Sequence, residues 1–231
     1  MITDIAQRLE DLRERIAKVC REHEREPSSV ELLAVSKTRD AEAVQRAIAA
    51  GQVSFGENRV QELLVKSAAF CESPPRWHMI GSLQTNKARD LIGVPHLDLL
   101  HSLDRHKLAT TLESCLAETG RSLGVLLQIH ATHEESKHGC PPEEAEMLAR
   151  YVTNECPHLR LRGLMAMGPR EGDPTLAFGR VAKLRRELQQ RLGRELPVLS
   201  LGMTGDLEVA IAAGSTMVRV GTAIFGPRDP R

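Results

Sequence analysis

Leu32-Leu33-Ala34-Val35-Ser36-Lys37-Thr38 is a short apolar run that ends in a lysine, and its reading decides the fold. Side-chain alternation along a strand puts Leu33, Val35 and Lys37 on one face and Leu32, Ala34 and Ser36 on the other. The Lys37 amine then emerges where the strand stops, on the side of its packed aliphatics. An amine in that position is either an ion-pair partner or a nucleophile.

The same kind of unit recurs along the chain. Apolar runs at 53–56, 77–81, 97–101, 124–130, 161–167, 197–202 and 216–221 read as seven further strands. Ahead of the first, Ile2, Ile5, Leu9, Leu12, Ile16 and Val19 are spaced three and four apart, which predicts an amphipathic helix over 2–25. Helical patterns also fill the intervals: 40–50 up to Gly51, 58–72 with Val60, Leu63 and Leu64, and a weak one at 86–92. Further on are 104–119, with Ser102 or Asp104 as cap, and 142–155, with proline in its first turn. The last two, 173–193 and 205–213, stop at Gly193 and Gly214. Strands that alternate with helices and lack hairpin turns pair in parallel through right-handed crossovers. Eight of them predict a closed (β/α)8 TIM-type barrel. It is read as one domain over 1–231, with an extra N-terminal helix and no second β-domain.

Composition narrows the class. Hydrophobic residues make up 41% and aromatics only 3%, so the core is built from Leu, Val, Ile, Ala and Met. Basic and acidic residues balance at 31 each, which argues against nucleic acid or an anionic membrane as the main partner. The cysteines (Cys20, Cys71, Cys115, Cys140, Cys156) form no Cys-x-x-Cys pair. They fit a reducing cytosol better than a disulfide framework or a zinc site. The N-terminal MITDIAQRLEDLRERI is charged from its fourth residue and lacks the apolar core of a signal peptide. No apolar run is long enough to cross a bilayer. The expectation is a soluble cytoplasmic protein.

In such barrels the active site is built at the C-terminal ends of the strands. Lys37, Gly56-Glu57-Asn58, Gly81-Ser82, His101-Ser102, His130, Met167-Gly168, 200–205 and Gly221-Thr222-Ala223 fall there. Glycines and hydroxyls follow both strand seven and strand eight, where barrels frequently bind phosphate. Gly205-Asp206 and Gly221-Thr222-Ala223 are each placed to offer a helix N-terminus to an anion. The alternative is that these glycines only make tight turns. Arg219 shares a face with Met217 and Gly221 in an apolar strand, and its guanidinium must find an acceptor. A buried structural salt bridge is the competing reading. Lys37, with a phosphate cradle opposite and an inward arginine, points to a carbonyl-bearing phosphate held as a Schiff base. His130, His133 and His138 have no carboxylate at a ligand spacing, so no metal site is expected. His78 and His101 are read as hydrogen-bonded pocket or core residues. Glu57 and Asp206 are acid–base candidates that also suit capping, which is the preferred role for Asp206. No Gly-x-Ser-x-Gly, P-loop or dinucleotide fingerprint is present.

The motifs LLAVSKT, FGENRVQE, WHMIGSLQTNK, HSLDR, ESKHG, RGLMAM and LSLGMTGDLEVAIAAGSTMVRVGTAIFG occur in order over about 31–227. In these the chain resembles the pyridoxal phosphate homeostasis proteins. The resemblance implies a barrel like the N-terminal domain of alanine racemase, with pyridoxal 5'-phosphate (PLP) held as an internal aldimine on Lys37. It also implies phosphate contacts from Ser200, Gly221 and Thr222, Arg219 facing the pyridine nitrogen, and Asn58 and Met203 lining the ring. Two positions depart from the family pattern: Arg59 stands where many members have tyrosine, and Thr204 where they have serine. Lys137 of ESKHG is read as a solvated loop lysine.

An arginine cannot accept the pyridinium proton, so it leaves the cofactor a poor electron sink. Racemases of the related type add a β-rich domain, whereas this chain stops soon after strand eight, and its one tyrosine, Tyr151, falls on an outer helix. The function expected is to carry, buffer or deliver PLP with little or no turnover, as a monomer, with PLP-dependent apoenzymes as recipients. The alternatives are a single-domain PLP-dependent amino-acid racemase or lyase, and a Schiff-base aldolase that needs no PLP. Lys37 on the first strand, with no acid–base pair nearby, counts against the aldolase.

Overall fold

A computed structural model describes residues 4–70, 74–132 and 138–227. Eight parallel strands form its centre: β1 (Glu31–Val35), β2 (Ser54–Glu57), β3 (Arg76–Met79), β4 (Leu97–Leu103), β5 (Leu123–Gln128), β6 (Leu159–Met165), β7 (Val198–Ser200) and β8 (Met217–Val220). Each pairs with the next, and β8 pairs with β1, so the barrel closes as the sequence predicts. The α-helices are α1 (Ile5–Glu22), α2 (Ala41–Ala49), α3 (Val60–Ala68), α4 (Ala88–Ile92), α5 (His106–Thr119), α6 (Ala145–Glu155), α7 (Thr175–Leu192), α8 (Leu207–Ala212) and α9 (Thr222–Phe225).

Strand alternation sorts side chains into two cores. Leu33, Leu99, Leu126, Met165 and Met217 fill the barrel interior. Leu32, Ala34, Phe55, Trp77, Leu100, Leu127 and Val218 point outward and pack under the helices. Both faces are covered, which is why β5 is buried at every position and reads as a continuous apolar run. The scarce aromatics sit in the outer layer, where Phe55 and Trp77 rings lie 5.8 Å apart.

The extra N-terminal helix is α1, whose stripe of Ile5, Leu9, Leu12, Ile16 and Val19 is buried. Ile2 and Cys71 lie outside the described residues, as do His133 and Lys137. The helix rests on α2, α8 and α9. Arg15 binds both carboxylate oxygens of Glu208, and Arg25 donates to the carbonyls of Ile211 and Ser215, both at 2.7 Å. Among the described residues, no helix is long and apolar enough to cross a membrane.

Capping of α5 differs from expectation. Strand β4 continues through Leu103, so Ser102 stays in the sheet and donates its hydroxyl to the Gly81 carbonyl at 2.6 Å. Asp104 instead pairs with Arg105, and no side chain caps α5.

Candidate functional site

Strand β1 stops at Val35, and the next four residues form a turn closed by the Arg39 N–H on the Ser36 carbonyl at 3.0 Å. Ser36 faces outward, and Lys37, half-buried, is the next residue of this turn. Thr38 has a φ of 65°. For a β-branched residue this left-handed conformation is strained, at about 1–3 kcal/mol, and it persists only where its surroundings enforce it. Here the Thr38 N–H donates to Glu62 of α3 at 2.9 Å.

The other side of Lys37 is held from beneath. Ser36 donates its hydroxyl to Glu57 at 2.6 Å, and the Ser36 carbonyl accepts from the Lys66 ammonium at 2.7 Å. Lys66 and Glu57 are themselves 2.6 Å apart and buried between β2 and α3. Glu57 therefore neither caps a helix nor faces the barrel interior; it shares the outward face of Phe55. Burial pushes its carboxyl above the ordinary range, against the opposing pull of Lys66 and Ser36.

The loop after β8 lies beside this turn. A Cβ on Gly221 would stand 3.1 Å from the Val35 carbonyl oxygen. The phosphate-type loop is thus next to the lysine, and not opposite it as the sequence reading had it, because closure makes β8 the neighbour of β1. Ile224 and Phe225 return their N–H groups to the Gly221 carbonyl, both at 2.9 Å. Thr222 and Ala223 stand in the first turn of α9, where amides have no intrahelical acceptor.

After β7 the chain needs glycine at 202, where φ is 90° and a Cβ would lie 2.5 Å from that of Ala210. Met203, 44% exposed, gives its N–H to Asp206 at 2.6 Å. Asp206 stands just ahead of α8, yet its carboxylate serves this loop and not the helix amides, so the expected capping role does not hold. The Asn58 carbonyl occupies the space a Gly81 side chain would need, at 2.2 Å, so the loops after β2 and β3 touch. Arg59 is exposed at the start of α3 and makes no capping bond.

Arg219 is buried in the interior. Its guanidinium donates to the Ser200 carbonyl at 2.6 Å, the Ser200 hydroxyl at 2.7 Å and the Ala166 carbonyl at 3.0 Å. All these partners are uncharged, so the salt-bridge alternative is not realised among the described residues. Burial lowers its pKa to about 10, with Asp206 pulling the other way, which leaves it charged at neutral pH. The Ser200 hydroxyl also lies 3.2 Å from His101 Nδ1, and His101 Nε2 lies 3.0 Å from His78 Nδ1. Ser200 thus has its oxygen beneath Arg219 and its one hydrogen within reach of His101. Burial above all, then His78 and Arg219, hold His101 well below the ordinary histidine range. Tyr151 is on the outside, where its hydroxyl meets Thr110 at 2.7 Å and its ring faces His106.

Residues 8–229 match the family described as alanine racemase, N-terminal domain. A Pseudomonas aeruginosa protein named pyridoxal phosphate homeostasis protein is 42% identical over 228 residues, covering 99% of this chain and 97% of that one. The chain belongs to the pyridoxal phosphate homeostasis family. Its Escherichia coli K12 relative of the same name is 44% identical, with 99% and 98% covered. PipY of Synechococcus elongatus PCC7942, solved with PLP bound, superposes with a TM-score of 0.84 at 36% identity, covering 96% of this chain and 100% of that one.

Around the lysine of this family member, sequence reasoning missed Ser36, Glu62 and Lys66. Glu62 and Lys66 stand four apart, as an ordinary solvated helix pair does. One signal was available: Lys66 follows Val60 and Leu63 on the apolar stripe of α3, where a solvated lysine does not belong. The link from His78 and His101 to Ser200 and Arg219 left no local trace.

Proposed function

We propose that this chain binds PLP and carries, buffers or delivers it, with the Lys37 amine and the PLP aldehyde joined as a Schiff base through loss of water. The observation that carries the reading is the arrangement at the β8–β1 seam. Gly221 touches Val35 two residues before Lys37, and the strand that leads into that loop carries a buried arginine with no carboxylate partner among the described residues. The names of the relatives and the PLP held by PipY support it.

The residues fit the group. Lys37 supplies the amine, and the amides of Gly221, Thr222 and Ala223 with the Thr222 hydroxyl receive the phosphate. Three of the five guanidinium donors of Arg219 are spent on Ser200 and Ala166, which leaves two for the pyridine nitrogen. Ser200, expected at the phosphate, is buried with both its oxygens on Arg219 and so enters through that arginine instead, and Asn58 and Met203 flank the ring.

Bound PLP acts as an electron sink whose strength depends on protonation of its ring nitrogen. Arg219 donates only, so it favours the unprotonated ring and weak carbanion chemistry. Tyr151, on the outer helices, is not placed to move a substrate proton. Both points favour storage and delivery over turnover. PLP-dependent apoenzymes as recipients and a monomeric state belong to the same reading.

Visible absorption of the protein incubated with PLP tests it. The expected result is a yellow imine band that borohydride abolishes, with the label on Lys37. A protein that stays colourless overturns the reading. Turnover of alanine, serine or threonine enantiomers at ordinary enzymatic rates replaces it with the racemase or lyase alternative.

A further inference from the structure

Five polar side chains cross the barrel interior in a file: Arg219 on β8, Ser200 on β7, His101 and Asp98 on β4, and His78 on β3. Successive contacts are 2.7 Å, 3.2 Å, 3.0 Å and, from His78 Nε2 to Asp98 Oδ2, 3.5 Å. The two imidazoles and Ser200 are almost wholly buried, while the Asp98 side chain is half exposed. His78 Nε2 is buried and has no full hydrogen bond, so Asp98 is its one charged neighbour in the file.

The two ends determine the direction of every bond. A guanidinium can only donate and a carboxylate can only accept. Arg219 gives an N–H to the Ser200 oxygen, so the serine proton is free to go to His101 Nδ1. His101 is then protonated at Nε2 and donates to His78 Nδ1. His78 in turn carries its proton at Nε2 and presents it to Asp98. The reverse order would aim the bare lone pair of His78 Nε2 at a carboxylate. It would also leave the buried serine proton without an acceptor in the file, at the cost of an unpaired buried polar group. His78 chiefly, with Arg76 and Arg162, holds the Asp98 carboxyl below its ordinary range.

We infer that His101, His78 and Asp98 are positioning residues for Arg219: through one ordered tautomer chain they hold Ser200 as an acceptor, and so fix the guanidinium that faces the PLP ring. The last clause rests on the PLP reading above; the order of the chain does not. The file links the cofactor site of that reading to a carboxylate on β4. It explains why an interior with a Leu and Met core tolerates two buried histidines.

Two measurements test this. In the 15N-histidine-labelled protein without PLP, long-range 15N–1H spectra should report both His78 and His101 as neutral Nε2–H tautomers. An Nδ1–H tautomer or an imidazolium at His101 overturns the inference. In the PLP-loaded protein, His101→Leu should shift the absorption band and weaken PLP retention about tenfold, the loss expected for one buried hydrogen-bond partner. His101→Asn, whose side-chain oxygen can accept from Ser200 in place of Nδ1, should restore most of both. A wild-type band and retention in His101→Leu, or no rescue by His101→Asn, overturns the inference. Should His101→Leu not fold, the tautomers and His101→Asn still decide it. Failure of the wild-type protein to take up PLP at all defeats the PLP reading instead, and leaves the tautomer result standing.

Discussion

The Lys66 ammonium meets the Glu57 carboxylate at 2.6 Å behind the turn that carries Lys37, and the same ammonium binds the Ser36 carbonyl at 2.7 Å. A helix charge and a strand charge thus jointly fix the backbone from which the amine projects. Removing one partner of a buried pair leaves the other uncompensated, which is worse than removing both. Lys66→Met should therefore destabilise the protein by about 3 kcal/mol at neutral pH, while the double variant Glu57→Gln/Lys66→Met recovers most of the loss. Urea unfolding of the two variants checks this.

The pair also has a pH signature. Glu57 is raised above its ordinary value of 4.5, so the native state binds its proton more tightly than the unfolded chain does. The stability from this group is fully present below 4.5 and is lost as pH rises through the higher native value. Lys66→Met removes a lowering influence and should steepen that loss. The stability gap between wild type and Lys66→Met, measured from about pH 5 to about pH 8, should widen with pH. A constant gap would mean that Lys66 does not act through Glu57.

Thr38 holds a left-handed φ of 65° that asparagine tolerates better than threonine does. Thr38→Asn should raise stability by up to about 1 kcal/mol, because the backbone N–H to Glu62 is kept while the steric cost falls. Thermal unfolding reads the gain.

Gly81 has no room for a side chain, since the Asn58 carbonyl would be 2.2 Å away. Gly81→Ala should push the loops after β2 and β3 apart and cost about 2 kcal/mol, as overpacking does. It should also weaken PLP retention if Asn58 flanks the ring, which dialysis of the loaded protein measures.

Arg219→Gln should shift the absorption band of bound PLP and lower its affinity at least about tenfold, the scale of a lost hydrogen bond from a charged group. An unchanged spectrum would mean that Arg219 does not touch the ring.

Periodicity is a property of consecutive residues, and what depends on it was legible without coordinates. The stripe of α1, the eight strands, the barrel and the strand-end positions of Lys37 and Gly221 all follow from repeats of two and of three to four residues. Alternation also placed Arg219 on the face of Met217. Strand ends were read two residues long at Lys37, because an apolar run does not reveal where the ladder hydrogen bonds stop.

Contacts between residues far apart in sequence were decided by tertiary structure alone. Ring closure set Gly221 against Val35 and so put the phosphate-type loop beside Lys37. Burial turned Glu57 and Lys66, ordinary charges in the sequence, into a desolvated pair. It also aligned His78, His101 and Ser200 beneath Arg219, up to 99 residues apart in one contact. A side chain's alternation names the face it takes, but its partner and its protonation follow from which groups that face excludes from water.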